Sequence, residues 1–278
     1  MPSTPFSLTR WSDGAAVPVP AGQHVAVLRD GPVAHIVLNR PERRNALDAP
    51  MWRAVRDAAL RIAGDTDVQV VTLRGAGEQA FCAGADIHEF ESVYGAPASA
   101  RAHNTVIREA QDALARLDRP TIAMVRGDCV GGGCGLALAC DLRFAASDAR
   151  FAISPARIGA AYGFPETQRL VATVGPSRAK DLLFSARVVQ AEEALRMGLA
   201  DRLAAPAGLD AEVARYVQGL LKNSSQSISL MKSMVHAAFT ADADALARIE
   251  QAYDQSFHGT HFREGYTAFI EKRAPRFR

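Results

Sequence analysis

The chain has 278 residues, of which 48% are hydrophobic, and its formal net charge is +2. This length is enough for a sizeable buried core, either as one large domain or as a core with a smaller appendage. The basic residues are dispersed, which argues against nucleic acid as a partner, and no apolar stretch is long enough to span a membrane. We therefore expect a cytoplasmic globular protein, and anionic small molecules stay open as ligands.

The beginning of the chain predicts a lead-in followed by a β-β-α-β order. Residues 1–22 are rich in proline, serine and glycine, which is typical of a loosely ordered segment. Two short apolar runs on either side of Asp30-Gly31-Pro32 predict a hairpin. The periodicity of residues 49–63 predicts a helix with Asp48 as its N-cap, and residues 68–74 predict a buried strand.

Farther along the chain, strands give way to helices. The pattern predicts one helix and three strands, in this order, at residues 101–117, 120–126, 142–145 and 151–153. From Pro165 onward the pattern is mainly helical. The sequence therefore predicts an α/β core over residues 23–205 and a helical region over residues 206–278.

The four cysteines lie in glycine- and alanine-rich segments without C-x-x-C pairs and without histidines at zinc spacing. This setting favours buried, reduced thiols, and we expect no metal site. The residues concerned are Cys82, Cys129, Cys134 and Cys140.

A glycine cluster at residues 131–135 leads directly into an apolar, helix-like segment. Glycines allow close approach to a ligand, and the first turn of a helix has free N–H groups. Such donors suit an oxygen that gains negative charge during a reaction. Gly135 carries no side chain, so we expect a binding device here without an acid/base group. The cluster fits neither of the common nucleotide-binding glycine motifs.

Two further segments would have to converge on this cluster to form a catalytic site. In residues 81–87, small residues let the backbone face a ligand, and Asp86 can hold the turn through its carboxylate. In residues 151–170, polar groups stand among apolar and small neighbours. Residues 81–87 alone also fit an ordinary strand-to-helix loop.

Together these segments resemble the crotonase superfamily, also called the enoyl-CoA hydratase/isomerase family, from about residue 24 to the end of the chain. The matching pieces follow the family's order and spacing, and they are Leu38-Asn39-Arg40-Pro41, Asn45-Ala46-Leu47, residues 81–87, residues 131–141, Thr167-Gln168-Arg169-Leu170, Ala191-Glu192-Glu193-Ala194, Gly198-Leu199 and residues 263–273. The resemblance implies an α/β spiral of β-β-α units with a C-terminal helical trimerisation region, assembled as a homotrimer or hexamer. It also implies an acyl-CoA substrate and no cofactor beyond the CoA of the substrate.

The resemblance implies roles for individual residues. The N–H groups of Ala85 and Gly132 would form an oxyanion hole that polarises the thioester carbonyl and stabilises an enolate. Residues implied to contact the nucleotide and pantetheine are Arg43, Ala46, Ala83, Asp86 and Ile87, while Phe269 and Lys272 would reach a neighbouring subunit's ligand. Arg43 also fits a solvated loop charge, and Lys272 also fits a surface salt bridge.

The chain departs from the hydratase pattern at both catalytic glutamates. The first aligns with Gly135 and the second with Pro155, and neither residue can transfer a proton. Nearby, Ser154 and Tyr162 resemble the Thr-Pro and Gly-x-x-Tyr elements of a methylmalonyl-CoA decarboxylase branch. A decarboxylase needs little acid/base help, because loss of carbon dioxide leaves the enolate directly. As catalytic residues, Ser154 and Tyr162 could orient the departing carboxylate out of the thioester plane through their two hydroxyls.

Each of these polar residues also has a simpler interpretation. Tyr162 fits a half-buried core aromatic whose hydroxyl bonds to backbone, and Ser154 fits a turn residue. Glu166 could restore a carboxylate or could simply stabilise a helix start. We expect a structural role for Asp141 and at most an indirect one for His88.

The leading hypothesis is an acyl-CoA lyase of this family that is not a hydratase, such as a malonyl-type decarboxylase. One alternative is an enoyl-CoA hydratase with atypical acid/base residues. The other is a catalytically inactive acyl-CoA-binding subunit, which the loss of both glutamates would also explain. RNA binding is disfavoured because the chain lacks a basic helix.

Overall fold

The computed structural model describes residues 22–240 and 243–277, so the predicted lead-in lies outside the described residues apart from Gly22. The chain divides into two compact units. The first takes in the described residues up to Leu117 together with Thr121–Ala214. The second takes in Asp118–Pro120 and the chain from Arg215 onward.

The strands of the first unit form two sheets. They are β1 (Val25–Asp30), β2 (Val33–Leu38), β3 (Val70–Gly75), β4 (Ala80–Cys82), β5 (Thr121–Val125), β6 (Asp128–Val130), β7 (Leu142–Ala146), β8 (Arg150–Ala152), β9 (Val188–Gln190) and β10 (Arg202–Ala204). A six-stranded sheet has the order β1-β2-β3-β5-β7-β10, and a four-stranded sheet has the order β4-β6-β8-β9. Pairing is parallel except between β1 and β2 and between β8 and β9.

Helices connect these strands and make up most of the C-terminal part. They are α1 (Ala49–Ala63), α2 (Phe90–Tyr94), α3 (Pro97–Ala115), α4 (Gly132–Ala139), α5 (Phe164–Val174), α6 (Pro176–Ser185), α7 (Ala191–Met197), α8 (Leu209–Leu220), α9 (Ser225–Thr240), α10 (Ala243–Ser256) and α11 (Thr260–Ile270). The β-β-α order followed by helices confirms the predicted α/β class.

Local sequence explains the first β-β-α unit. Gly31 takes a φ of 54° in the turn between β1 and β2, where a residue without Cβ is least strained. Every residue of β2 is buried, as expected for a continuous apolar run covered on both faces. Asp48 caps α1 by accepting a hydrogen bond from Met51 N at 2.8 Å. The predicted hairpin and helix are both confirmed.

The second unit holds the last three helices. Within it, Ser224 Oγ lies 2.8 Å from His261 Nδ1, and both residues are buried. Arg273 is paired with Glu264 at 2.6 Å beyond the end of α11. No helix among the described residues has both the length and the apolar content needed to cross a membrane.

The cysteines are free and buried, as the sequence predicted. Burial raises the pKa of the Cys82 thiol to about 12. Cys134 Sγ donates to Cys129 O at 2.8 Å. Within residues 22–240 and 243–277, no three His, Cys, Asp or Glu side chains come together as a metal site.

One buried histidine makes stability depend on pH. Burial, and then the charge of Arg74, lower the pKa of His35 from 6.5 to about 4. Between these values the unfolded chain binds a proton that the folded chain does not. The contribution is therefore present above the unfolded pKa and is lost as pH falls through about 4.

We expect acidification to lower the free energy of unfolding by about 3 kcal/mol through this one group. Urea unfolding at about pH 7 and about pH 4.5 would measure the change, with His35→Gln as the comparison. The variant should lose less stability on acidification than the natural chain. Equal losses in both proteins would contradict the assignment.

Candidate active site

The first backbone donor of the site comes from the segment after β4. Leu47 N donates to Gly84 O at 2.7 Å, and Asp86 N donates to Leu47 O at 2.9 Å. In an extended chain successive N–H groups point to opposite sides. The N–H of Ala85 therefore faces away from Leu47, toward the other side of this segment.

The second donor comes from the glycine cluster. Gly131 precedes α4 with a φ of 51°, and Gly132 is the first residue of the helix. An N–H in the first turn has no acceptor within its own helix. A Cβ added at Gly84 would lie 2.9 Å from Val130 O and 3.7 Å from Gly132 N. The structure thus places the backbone of residues 84–85 directly against that of residues 130–132.

The loop before α1 is joined to the same segment. Ala83 N donates to Arg44 O at 2.9 Å. Asn45, with a φ of 56°, is fully buried, and its side-chain amide donates to Ala76 O and Ala80 O at 3.0 and 2.8 Å. A polar side chain satisfied in this way fixes the loop, because leaving a buried amide unpaired is costly.

Ion pairs join the loop before α1 to the segment after β4. Arg40 contacts both Asp48 and Asp86 at 3.0 Å. Burial opposes ionisation of Asp86, but hydrogen bonds from His88 N–H and from Arg40 outweigh it and hold the pKa of this carboxyl below its usual value. Arg43 Nη1 lies 3.2 Å from His88 Nε2 at an exposed position.

The residues predicted to contact CoA therefore fall into two groups. Five of them lie on the two adjoining segments, and they are Arg43, Ala46, Ala83, Asp86 and Ile87. Ile87 is 69% exposed, which leaves its side chain accessible to a ligand. Phe269 and Lys272 belong to the second unit, and their contact with a neighbouring subunit's ligand stays a prediction.

Two hydroxyls lie beside Gly131. The Tyr162 hydroxyl donates to Gly131 O at 3.2 Å. A Cβ added at Gly131 would lie 3.9 Å from Ser154 Oγ. Burial, and then the neighbouring Cys134 and Glu166, raise the pKa of Tyr162 well above its usual value. The structure thus brings Ser154 and Tyr162 to the same backbone loop as Gly132.

The position of the first missing glutamate is filled by a residue that sequence reasoning missed. A Cβ added at Gly135 would lie 2.6 Å from Gln111 Nε2 and 3.3 Å from the Tyr162 hydroxyl. Gln111 belongs to α3 and is only 1% exposed. The available signal was a glutamine on the buried stripe of this helix, beside Ala110 and Leu114.

Two charged residues fix the orientation of the Gln111 amide. Arg169 Nη1 donates to Gln111 Oε1 at 3.0 Å, and Gln111 Nε2 donates to Glu166 Oε1 at 3.1 Å. A guanidinium only donates, so the amide oxygen must face Arg169 and the nitrogen must face Glu166. Glu166 is in the first turn of α5, as expected, but its carboxylate is buried in this network.

Asp141 has the structural role that the sequence predicted. Its Oδ2 accepts from Thr121 N at 2.7 Å and from Thr121 Oγ1 at 3.0 Å. These bonds join the end of α4 to the start of β5. Asp141 thus lies beyond the C-terminal end of α4, whereas Gly131 precedes the first residue of that helix.

A cavity of about 240 Å³ adjoins the loop that carries the two hydroxyls. It is lined by Ile153, Pro155, Ala156, Ala160, Ala161, Tyr162, Thr167 and Leu183. Most of these side chains are small or apolar, which suits the acyl part of a ligand. Tyr162 lines this cavity, and its hydroxyl also donates to Gly131 O in the glycine cluster.

This α/β core, with the backbone of residues 84–85 against the first turn of a glycine-led helix, defines a protein of the crotonase superfamily. The chain belongs to the enoyl-CoA hydratase/isomerase family, whose model matches residues 29–278.

Relatives and solved structures agree with this assignment. The short-chain-enoyl-CoA hydratase of Clostridium acetobutylicum is 35% identical over 90% of this chain and 95% of its own length. The crotonyl-CoA hydratase of Syntrophomonas wolfei is 33% identical over 92% of this chain and 98% of its own length. An enoyl-CoA hydratase/isomerase family protein from Hyphomonas neptunium superposes with a TM-score of 0.89 at 36% identity, covering 92% of this chain and 98% of its own.

Proposed function

We propose that this protein binds an acyl-CoA thioester and stabilises its enolate between the N–H groups of Ala85 and Gly132. We further propose that it acts as a lyase other than a hydratase, with malonyl-type decarboxylation as its reaction. The observation that carries this proposal is the Gly135 position, where a packed Gln111 amide stands in place of a catalytic carboxylate. At the second position, Pro155 has no group that can move a proton.

In this reaction the bond between the α-carbon and the substrate carboxylate breaks, and carbon dioxide leaves. The electron pair of that bond stays on the α-carbon and delocalises to the thioester oxygen as an enolate. The two N–H groups stabilise the negative charge on that oxygen. A proton from water then forms the new C–H bond and gives the acyl-CoA product.

The leaving carboxylate must stand out of the thioester plane, so that its bond overlaps with the carbonyl π system. The hydroxyls of Ser154 and Tyr162 lie beside Gly131, close to the proposed oxyanion hole. We assign Ser154 to orient the carboxylate by hydrogen bonding, and we place Tyr162 in the same site, where its hydroxyl donates to Gly131 O. The apolar cavity beside Tyr162 would take the rest of the acyl group.

The five residues around the two adjoining segments, Arg43, Ala46, Ala83, Asp86 and Ile87, would hold the nucleotide and pantetheine. We also propose a cytoplasmic homotrimer or hexamer, in which Phe269 and Lys272 reach the ligand of a neighbouring subunit. CoA enters as part of the substrate, with no separate cofactor.

A hydratase with atypical acid/base residues is the second candidate. It is supported by the relatives that are named as hydratases, and by the buried Glu166 carboxylate behind Gln111. An inactive acyl-CoA-binding subunit is the third, supported by the loss of both glutamates at Gly135 and Pro155.

The test offers methylmalonyl-CoA and crotonyl-CoA to the protein in parallel. We expect carbon dioxide release from the first and no hydration of the second. Ser154→Ala should lower the decarboxylation rate by about tenfold or more, since it removes one hydrogen bond to a charged group. Ser233→Ala, at an exposed serine of the second unit, is the matched control and should leave the rate unchanged.

Two results would overturn the proposal. Rapid hydration of crotonyl-CoA that survives Glu166→Gln and Tyr162→Phe would show that hydration proceeds without the residues of this site. Tight acyl-CoA binding without turnover of any enoyl, malonyl-type or hydroxyacyl thioester would identify the inactive subunit.

A further inference from the structure

The carbonyl of Gly131 and the N–H of Gly132 belong to one peptide group. Because a peptide is planar, fixing its oxygen also fixes the direction of its N–H. Gly131 O accepts two hydrogen bonds, from Gly135 N at 3.0 Å and from the Tyr162 hydroxyl at 3.2 Å. The first is the opening bond of α4, and the second comes from a side chain.

We propose that Tyr162 is a positioning residue, which acts through the Gly131 carbonyl to orient and strengthen the Gly132 N–H as an oxyanion donor. This inference rests on the proposed function, since it takes Gly132 N–H to face the thioester oxygen. In this role Tyr162 acts on the protein's own peptide group rather than on the departing carboxylate.

The conformation of Gly131 explains why a hydrogen bond from Tyr162 is needed to hold this peptide group. Its φ of 51° and ψ of −112° lie outside the regions that other residues favour, so only glycine takes them readily. Glycine on both sides of the peptide places few steric limits on rotation of its plane. A hydrogen bond from a half-buried side chain restricts that rotation and holds the donor in place before the substrate arrives.

The hydroxyl also adds to donor strength. A hydrogen bond accepted by the carbonyl oxygen polarises the peptide and makes its N–H a better donor, by about 10–30% per bond in a chain of such bonds. Tyr162 has a single O–H hydrogen, and that hydrogen is used on Gly131 O. Its raised pKa keeps the hydroxyl protonated at neutral pH, as this role requires.

Infrared spectroscopy of a bound thioester tests the inference directly. The ligand is butyryl-CoA with a ¹³C-labelled carbonyl, which has no carboxylate to lose. In the natural protein we expect the carbonyl stretch to shift to lower frequency on binding. In Tyr162→Phe we expect a smaller shift, with butyryl-CoA affinity changed by less than about threefold and kcat for methylmalonyl-CoA lowered by about tenfold.

Two comparison proteins separate this role from a merely structural one. Incorporation of 3-fluorotyrosine at position 162 keeps the hydroxyl and should preserve the carbonyl shift, which guards against loss of fold in Tyr162→Phe. Tyr253→Phe, at a half-exposed tyrosine of the second unit, should leave both the shift and kcat unchanged.

The carbonyl shift and kcat together distinguish failure of the positioning role from failure of the oxyanion hole. A full shift in Tyr162→Phe together with a lower kcat would overturn the positioning role and leave the oxyanion hole intact. No shift in the natural protein would refute the proposed oxyanion hole and the inference with it. A shift that is reduced in Tyr162→Phe but kept in the 3-fluorotyrosine protein and in Tyr253→Phe would support both the oxyanion hole and the positioning role.

Discussion

Replacing Gly84 with alanine is expected to lower kcat by about 10²-fold or more, because it separates the two backbone donors of the proposed oxyanion hole. The φ of Gly84 is 100°, which an alanine rarely adopts. The new methyl carbon would lie 2.9 Å from Val130 O. That atom is backbone and cannot move aside alone, so residues 84–85 and 130–132 would have to shift apart.

The change should also cost stability. Backbone strain at a positive φ contributes about 1–3 kcal/mol, to which the contact with Val130 O adds. Gly175→Ala is the matched control, since Gly175 has a φ of 79° and open space around the position of an added Cβ. Gly175→Ala should lose stability but keep kcat, which separates strain alone from damage to the site.

The measurements are kcat on the protein's substrate and the affinity for a non-reacting acyl-CoA. We expect the affinity to fall far less than kcat, because most CoA contacts are proposed to lie outside the oxyanion hole. A Gly84→Ala protein with natural kcat would contradict the placement of the hole between residues 84–85 and 130–132.

Restoring the first hydratase glutamate by Gly135→Glu is expected to destabilise the protein and to produce no hydration of crotonyl-CoA. The added Cβ would lie 2.6 Å from Gln111 Nε2, so the Gln111 amide would have to leave its place. That amide is held by Glu166 and Arg169. Overpacking costs about 1–3 kcal/mol, and each unpaired buried polar group adds a similar amount.

The double variant Gly135→Glu/Gln111→Ala supplies the decisive comparison. Removing the amide makes room at position 135, so the double variant should be more stable than the sum of the two single effects predicts. We expect a coupling free energy of about 1–3 kcal/mol, measured by urea unfolding of both singles and the double. Additive effects would mean that Gln111 and position 135 do not compete for the same space.

The first β-β-α unit could be predicted from the sequence because the residues that define its turn and its helix start are close together in the chain. The hairpin around Gly31 and the helix capped by Asp48 depend on a turn residue and a side-chain cap within a few residues. Of the three-residue strands, β8 was predicted at residues 151–153, but β4, β6, β9 and β10 were not, since segments this short show little periodicity. Their pairing comes from tertiary contacts.

The candidate site divides in the same way. The backbone segments at Ala85 and Gly132 could be predicted because small residues and the family resemblance mark them in the sequence. The contact of Gln111 could not be predicted, because its place on the buried stripe of α3 indicates burial but not that its amide packs against Gly135. For Tyr162 the sequence offered two interpretations, a hydroxyl that acts on the substrate and a hydroxyl that bonds to backbone, and the structure shows a backbone partner, Gly131 O.

The pairing of Leu47 with residues 84–86 has a mechanical consequence. The loop proposed to grip the nucleotide and the strand end proposed to grip the thioester oxygen share two backbone hydrogen bonds, at 2.7 and 2.9 Å. A displacement of one is thus transmitted to the other. The nucleotide takes no part in bond making. Its binding would nevertheless restrict the orientation of the Ala85 N–H, so that binding energy from the nucleotide helps to place this donor at the reacting carbonyl.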